Sequence, residues 1–271
     1  MSDKVLSPVK TLAKANEANM YALTPFFHDW PRVKKYSGPD LSWCVTDIPF
    51  PWCNVAFNAR LEPGRADRAI QAFADVGRKR NVPVCWWIGP ETTPVDLSAR
   101  LKAHGFVKRG DTTLMAIDLY AMNEDGPEAE DLAITQVEDR DALRLWCSVT
   151  AAGFAIPLWA EPFLFEWFST AVGLRLPMQF YLGWVRGLPV ATSLLFLAEG
   201  VAGLYFVATL PAARRQGIGF AITLAPLREA RRMGFGMGVL QASKMGESVY
   251  RKMGFRQCST MTSYIRMHEV F

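Results

Sequence analysis

Twice along this chain a short helical stretch ends in Gly-Phe and gives way to an alternating strand. The first copy, "LKAHGFVKRGDTTLMAI", runs from Leu101 to Ile117, and the second, "YRKMGFRQCSTMTSYIR", from Tyr250 to Arg266. Gly105-Phe106 and Gly254-Phe255 hold the same place, and Thr113 falls against Thr262. Upstream, each copy has an amphipathic helix (Ala66 to Arg80; Phe220 to Arg232) followed by a buried strand (Val82 to Ile88; Gly236 to Ala242). Self-similarity over this much pattern is the mark of a duplicated unit. It constrains the chain to two domains of one ancestry, each with its own core. A length of 271 residues accommodates two such domains, and a half-hydrophobic composition can fill both cores. The seam is the acidic, Gly-Pro-containing "AMNEDGPEAED", Ala121 to Asp131. The predicted domains are therefore 1–121 and 132–271, joined by an acidic linker at 122–131.

Several function classes fall away on composition. The net charge is only +4, and the basic runs are as short as Arg78-Lys79-Arg80, so no nucleic-acid partner is expected. Five scattered cysteines (Cys44, Cys53, Cys85, Cys147, Cys258) and three isolated histidines (His28, His104, His268) have no metal-ligand spacing. No metal is expected, and the reading is a reduced, cytoplasmic setting. The N-terminal "MSDKVLSPVKTLAKANE" lacks the apolar core of a signal peptide. The run Val190 to Leu210 has membrane-spanning length, but Glu199-Gly200 interrupts it. Its Thr, Val, Phe and Tyr content predicts two strands joined by an Ala-Glu-Gly turn, so no membrane partner is expected.

The second half reads as a strand at Leu132–Val137, a helix from Asp139 to Ala152, and an aromatic helix from Glu161 to Val172. Strands Met178–Arg186, Val190–Leu197 and Ala202–Thr209 follow, the first two joined at Gly187-Leu188-Pro189. Hairpins leading into helix–strand crossovers predict a mixed α/β class, with a mostly antiparallel sheet flanked by helices.

After Thr209 the chain turns and starts a helix through "ARRQGIGFA". The first N–H groups of a helix lack internal partners and its N-terminus is electropositive, so an anion is favoured there. Gly217 and Gly219 remove Cβ atoms, and Arg214 and Arg215 add charge. Ile218-Gly219-Phe220 is not the Gly-Lys-Ser/Thr ending of a P-loop, and Ile222 stands where a dinucleotide fingerprint needs its third glycine.

The pattern Arg214-Arg215-Gln216-Gly217-Ile218-Gly219 resembles motif A of the GNAT family of N-acetyltransferases, and "VLQASKMGESVYRKMGF" resembles that family's motif B. The resemblance covers Leu132 to Arg266 and extends, more weakly, over the first half, as in a tandem member with a degenerate N-terminal copy. It implies two GNAT-like domains and acetyl-CoA, or another acyl-CoA, as donor. Val207, Ala208 and Thr209 would offer backbone groups to the pantetheine arm. Arg214, Arg215, Gln216, Gly217, Ile218, Gly219 and Phe220 would wrap the pyrophosphate. Ser243 stands where many members have an asparagine contacting the cofactor, and Tyr250 matches the tyrosine that protonates the departing thiolate. Pro226 departs from the pattern and predicts a kink or an early end of its helix.

In the first half the matching place reads "NARLEPGRADRAIQAF", with one glycine, Gly64, carboxylates Glu62 and Asp67 nearby, and Leu101 in place of the tyrosine. This copy is expected to bind no CoA. The segment Gly153 to Phe168 corresponds to the variable, acceptor-covering region of the family. Its aromatics, with Glu161 and Glu166, serve either an acceptor pocket or the helix core, and Tyr181 and Tyr205 share a cleft in one strand register. The expected activity is direct transfer of a short acyl group from acyl-CoA to an amine on a small molecule or peptide. The alternative is a catalytically silent acyl-CoA-binding sensor.

Overall fold

A computed structural model describes residues 8–23, 31–171 and 177–267. The N-terminal seven residues, His28, Val172 and His268 lie outside the described residues. In chain order the elements begin with α1 (Pro8–Leu23), β1 (Lys34–Ser37), β2 (Ser42–Val45), β3 (Val55–Phe57), α2 (Pro63–Arg80), β4 (Val84–Ile88), α3 (Leu97–Ala103) and β5 (Val107–Asp118). They continue with β6 (Leu132–Gln136), α4 (Arg140–Gly153), α5 (Glu161–Ala171), β7 (Met178–Val185), β8 (Leu188–Ala198), β9 (Val201–Thr209), α6 (Ile218–Arg232), β10 (Met237–Ala242), α7 (Glu247–Met253) and β11 (Arg256–Arg266).

The chain divides into two compact units, and neither is a contiguous half. The larger holds residues up to 27 together with 113–258; the smaller holds 28–112 and 259–271. In the larger unit the strand order is β5-β10-β9-β8-β7-β6, with only β9 and β10 parallel. In the smaller it is β1-β2-β3-β4-β11, with only β3 and β4 parallel. Each sheet therefore has one parallel pair, bridged by α6 or by α2, as the internal repeat predicts.

The last strand of each sequence half, however, serves the other half's sheet. Thr113–Asp118 of β5 pairs with Ala242–Met237, and Thr262–Arg266 of β11 pairs with Ile88–Val84. Helix α1 also belongs to the larger unit, where buried Asn16 donates to the carbonyls of Met115 (2.8 Å) and Leu240 (3.0 Å). The boundaries expected at 121 and 132 do not divide the units, and the acidic segment 122–131 lies within the larger one. Pairing partners distant in sequence leave no local composition signal, so a linear reading misses the exchange.

The membrane-length run is two strands, as expected. Glu199 (φ 54°) and Gly200 (φ 72°) join β8 to β9 with two left-handed residues, the signature of a type I′ hairpin. Arg186 (φ 51°) and Gly187 (φ 77°) do the same between β7 and β8, so Leu188 and Pro189, expected in the turn, are the first residues of β8. Among the described residues no helix is long and apolar enough to cross a membrane, and no group of three His, Cys, Asp or Glu side chains is placed to hold a metal.

Helix α6 covers one face of the larger sheet, burying Ile222 and Leu227 against Leu195, Leu204 and Leu240. Pro226 lies inside it, yet the helix runs on to Arg232 rather than ending early. Proline lacks the N–H that would bond the carbonyl four residues back, at Ile222. That carbonyl is instead taken by the buried hydroxyl of Ser193, at 2.8 Å. The sheet thus repairs the defect that the proline makes in the helix. Ser193→Ala should cost about 1–3 kcal/mol, the usual penalty for orphaning a buried acceptor. In a Pro226→Ala background the loss should shrink, because an N–H at 226 then reaches Ile222. A urea-denaturation double-mutant cycle measures this, and equal losses in both backgrounds would refute the pairing.

Candidate active site

Strands β9 and β10 pair through Ala202–Gly238, Gly203–Val239 and Leu204–Leu240, and no further. From Tyr205 to Thr209, β9 keeps β8 on one side and presents an open edge on the other. A bulge marks the divergence: Thr192 faces Ala208 and Leu194 faces Tyr205, so Phe206 and Val207 oppose Ser193 alone. Phe206 adopts a left-handed φ of 49°, costly for a bulky residue unless its surroundings hold it there. Helix α4 does so. Trp146 Nε1 donates to the Ser193 carbonyl (3.1 Å), and Thr150 Oγ1 to Thr192 Oγ1 (3.1 Å), which in turn donates to the Phe206 carbonyl (3.0 Å). The Ser193 and Phe206 carbonyls at the bulge are thereby satisfied, and the Phe206 ring packs edge-on against Trp146 and Phe168. Trp146, Thr150 and Thr192 carry no motif, and only the register reveals their role.

Beyond Thr209 the chain turns with Arg215 (φ 66°) and Gly217 (φ 75°) left-handed, and Gly217 caps α6. The backbone N–H groups of Arg215 to Gly219 make no hydrogen bond among the described residues. Five consecutive donors beside the positive end of a helix form an anion cradle. The side chains divide their work differently from expectation. Arg214 does not face an anion: its Nε donates to the Thr209 carbonyl (3.0 Å) and its Nη2 to that of Gly153 (3.2 Å), tying the end of β9 to the end of α4. Arg215 and Gln216 are exposed, and Arg215 has no acidic partner among the described residues.

The two glycines are required for different reasons. At Gly217 the positive φ already disfavours a side chain, and a Cβ would stand 2.6 Å from the carbonyl oxygen of Pro127 and 2.8 Å from that of Glu128. At Gly219 a Cβ would meet nothing nearer than Thr209 Oγ1, at 3.8 Å. Packing thus accounts for the first glycine and leaves the second free to face a ligand.

Tyr250 lies on α7, buried, with its ring over Gly246 and edge-on to Phe255. It shares a core cluster with Ala213, Ile218 and Phe220, against which Val207 also packs. Its hydroxyl makes no hydrogen bond among the described residues, and burial pushes the phenol up to about 12. Ser243 Oγ accepts the Gly246 N–H (3.2 Å), closing the turn that leads into α7.

Other candidates separate. Tyr181 pairs with Ser193, whose hydroxyl reaches α6, whereas Tyr205 pairs with Leu194 on the other face and donates to Asn19 of α1 (2.6 Å). The two tyrosines are on opposite faces and share no cleft. Within 153–168, Leu164 and Phe168 are core, while Phe154, Leu158 and Trp159 are exposed. Arg228, Arg231 and Arg232 line a shallow depression with Tyr120, about 530 Å³ in volume, and each is paired with a glutamate. Arg228 is eleven residues beyond Gly217, or about 16 Å along the helix. In the smaller unit, Glu62 caps α2 without a side-chain bond, and Asp67 turns away to Arg100 and to His104 Nε2 (3.1 Å). Leu101 is fully buried.

No family model matches the chain, and no curated protein matches its sequence. Solved structures do. A GCN5-related N-acetyltransferase from Kribbella flavida superposes with a TM-score of 0.72 at 18% identity, covering 94% of this chain and 96% of that one. Another from Sphaerobacter thermophilus gives 0.59 at 15%, covering 95% and 90%. The chain thus has the fold of the GCN5-related N-acetyltransferases. It also follows, over 98% of its length and 96% of the other's, a tandem GNAT protein from the clavulanic acid biosynthesis pathway, with a TM-score of 0.59 at 13% identity.

The glycine asymmetry gives a stability test. Gly217→Ala should destabilise by about 1 kcal/mol or more, since it combines a left-handed backbone with a collision. Gly219→Ala should be neutral, or stabilise by up to about 1 kcal/mol, because it adds a side chain to a helix's first turn. Thermal melts of the ligand-free proteins distinguish them, and equal losses would contradict the separate roles.

Proposed function

We propose that the larger unit transfers a short acyl group from acyl-CoA, most simply acetyl-CoA, to an amine on a small molecule or peptide. The observation that carries this reading is the coincidence of an unpaired strand edge, Tyr205–Thr209, with an unpaired run of N–H donors, Arg215–Gly219. An extended amide-bearing arm that ends in a pyrophosphate needs both. The donor set fits such a ligand: backbone N–H groups for the diphosphate, an open Gly219, and the Val207–Thr209 edge for the arm's amides.

The chemistry follows from these groups. The neutral amine attacks the thioester carbonyl, a C–N bond forms, and the carbonyl oxygen gains charge that N–H groups on the open edge can meet. The C–S bond then breaks and its electron pair stays on sulfur. Tyr250 supplies an O–H with no hydrogen-bond partner among the described residues, on a largely buried ring. At about 12 the phenol is a weaker acid than an alkyl thiol at about 8.5, so complete transfer to a free thiolate runs uphill. Tyr250 therefore acts by donating a hydrogen bond as charge builds on sulfur, and the proton released by the attacking nitrogen balances the reaction. Among the described residues no cysteine or serine sits in a nucleophile arrangement, which favours direct transfer.

The first copy lacks these features. Glu62 stands at the N-cap, one glycine remains, and Leu101 replaces the phenol. Calorimetry should accordingly give one equivalent of acetyl-CoA per chain, and two equivalents would reassign the smaller unit. Tyr250→Phe should lower kcat about 10²-fold against an amine panel while leaving the Kd for CoA unchanged. Unaltered turnover would remove Tyr250 from the chemistry. Loss of CoA binding would make its role structural.

A further inference from the structure

The acidic segment expected to be an interdomain linker lies within the larger unit, along α6. Asn123 anchors one end at α7: its N–H donates to the Met253 carbonyl (2.9 Å) and its Nδ2 to that of Lys252 (3.0 Å). Glu124 then clasps two arginines of α6, Arg228 and Arg231, each at 2.7 Å. Gly126 lies on the Phe220 ring so closely that a Cβ there would stand 2.3 Å from it. Finally, the carbonyls of Pro127 and Glu128 reach Gly217, the first glycine of the cradle. Arg186 holds Asp131 at the far end (3.2 Å). The strap follows the helix from its C-terminal half back to its N-cap.

Its contacts are unlike those of a ligand. Neither carbonyl over Gly217 is bonded to a cradle N–H, and a carbonyl oxygen has nothing to donate. The five donors remain unsatisfied, while the two carbonyls stand on the side of Gly217 where a Cβ would project. Asp125, Glu128 and Glu130 add three exposed carboxylates with no cationic partner among the described residues. Hydrogen bonds from Arg228 and then Arg231 hold the Glu124 carboxyl below its usual value, against the opposing effect of desolvation.

We infer that the Asn123–Asp131 strap is an autoinhibitory cover on the α6 N-terminus, which a diphosphate-bearing ligand must displace from Gly217 in order to bind. This rests on the acyl-CoA reading and adds a cost to it. A diphosphate brought to Gly217 meets both the strap's backbone and its uncompensated negative charge. Binding therefore requires the 126–128 stretch to lift, with Glu124 as the point that holds it down. The clasp joins partly exposed groups, so its strength is modest and screened by salt. That suits a cover that yields to ligand.

The test uses the full chain and free CoA. Glu124→Gln unfastens the clasp and alters no residue of the cradle, strand edge or α7. It should tighten CoA binding about three- to tenfold by calorimetry, as expected for losing two surface ion pairs that oppose binding. Glu124→Gln/Glu128→Gln should tighten it further. In the native protein, saturating CoA should speed cleavage of the strap by a glutamate-specific protease. Equal Kd values for native and variant chains, or protection of the strap by CoA, would overturn the cover. If neither protein binds CoA, the acyl-CoA reading itself fails and the cover with it. Tightening with no turnover on any amine would leave the cover standing and overturn catalysis alone.

Discussion

The larger unit depends on a single interruption of sheet pairing. After Leu204 and Leu240, β9 and β10 cease to bond, and a bulge at Phe206–Val207 bends β9 away. A strand edge opened inside a sheet is expensive, because backbone donors and acceptors lose partners where water is scarce. Part of the cost is met by α4, where Trp146 reaches the Ser193 carbonyl and Thr150 the Thr192 hydroxyl, which in turn donates to the Phe206 carbonyl. The same opening lets Thr209 accept from Arg214 and brings the start of α6 beside the strand's end. Cleft and cradle are thus one construction, and neither could be moved without the other.

Helix α6 shows how far its local irregularities are settled by distant residues. Its proline would break an isolated helix, but a serine of β8 accepts the role of the missing donor. Its first glycine is explained by the Pro127 and Glu128 backbone, and its second by no packing at all. A motif read as one feature therefore separates into a structural half and a half that is open to a ligand. Arg214 shows the same division: a residue expected to hold an anion is instead a brace between β9 and α4.

The duplicated architecture assigns the halves different tasks. Both sheets keep the antiparallel meander, the parallel pair and the bridging helix. The larger has a left-handed glycine as the cap of its helix, where the smaller has Glu62 in extended conformation. A carboxylate at that end meets the helix dipole from within the chain and lessens the electrostatic call for an external anion.

The repeat, the hairpins, the helix starts and the Arg-Arg-Gln-Gly-Ile-Gly turn were legible in the sequence, since each depends on residues close together along the chain. Periodicity reports which face is buried, and glycine reports where φ can be positive. The fold class and the elements that carry Val207–Thr209, the cradle and Tyr250 follow from such local signals. Partners from afar are another matter. The exchange of β5 and β11 between the sequence halves, the placement of Asn16 under Leu240, the bulge held by Trp146 and the return of the acidic segment over Gly217 involve residues separated by up to 224 positions. No local propensity records such pairings. They are decided by which apolar faces bury each other and which freed backbone groups must then be satisfied, and those demands exist only in the folded chain.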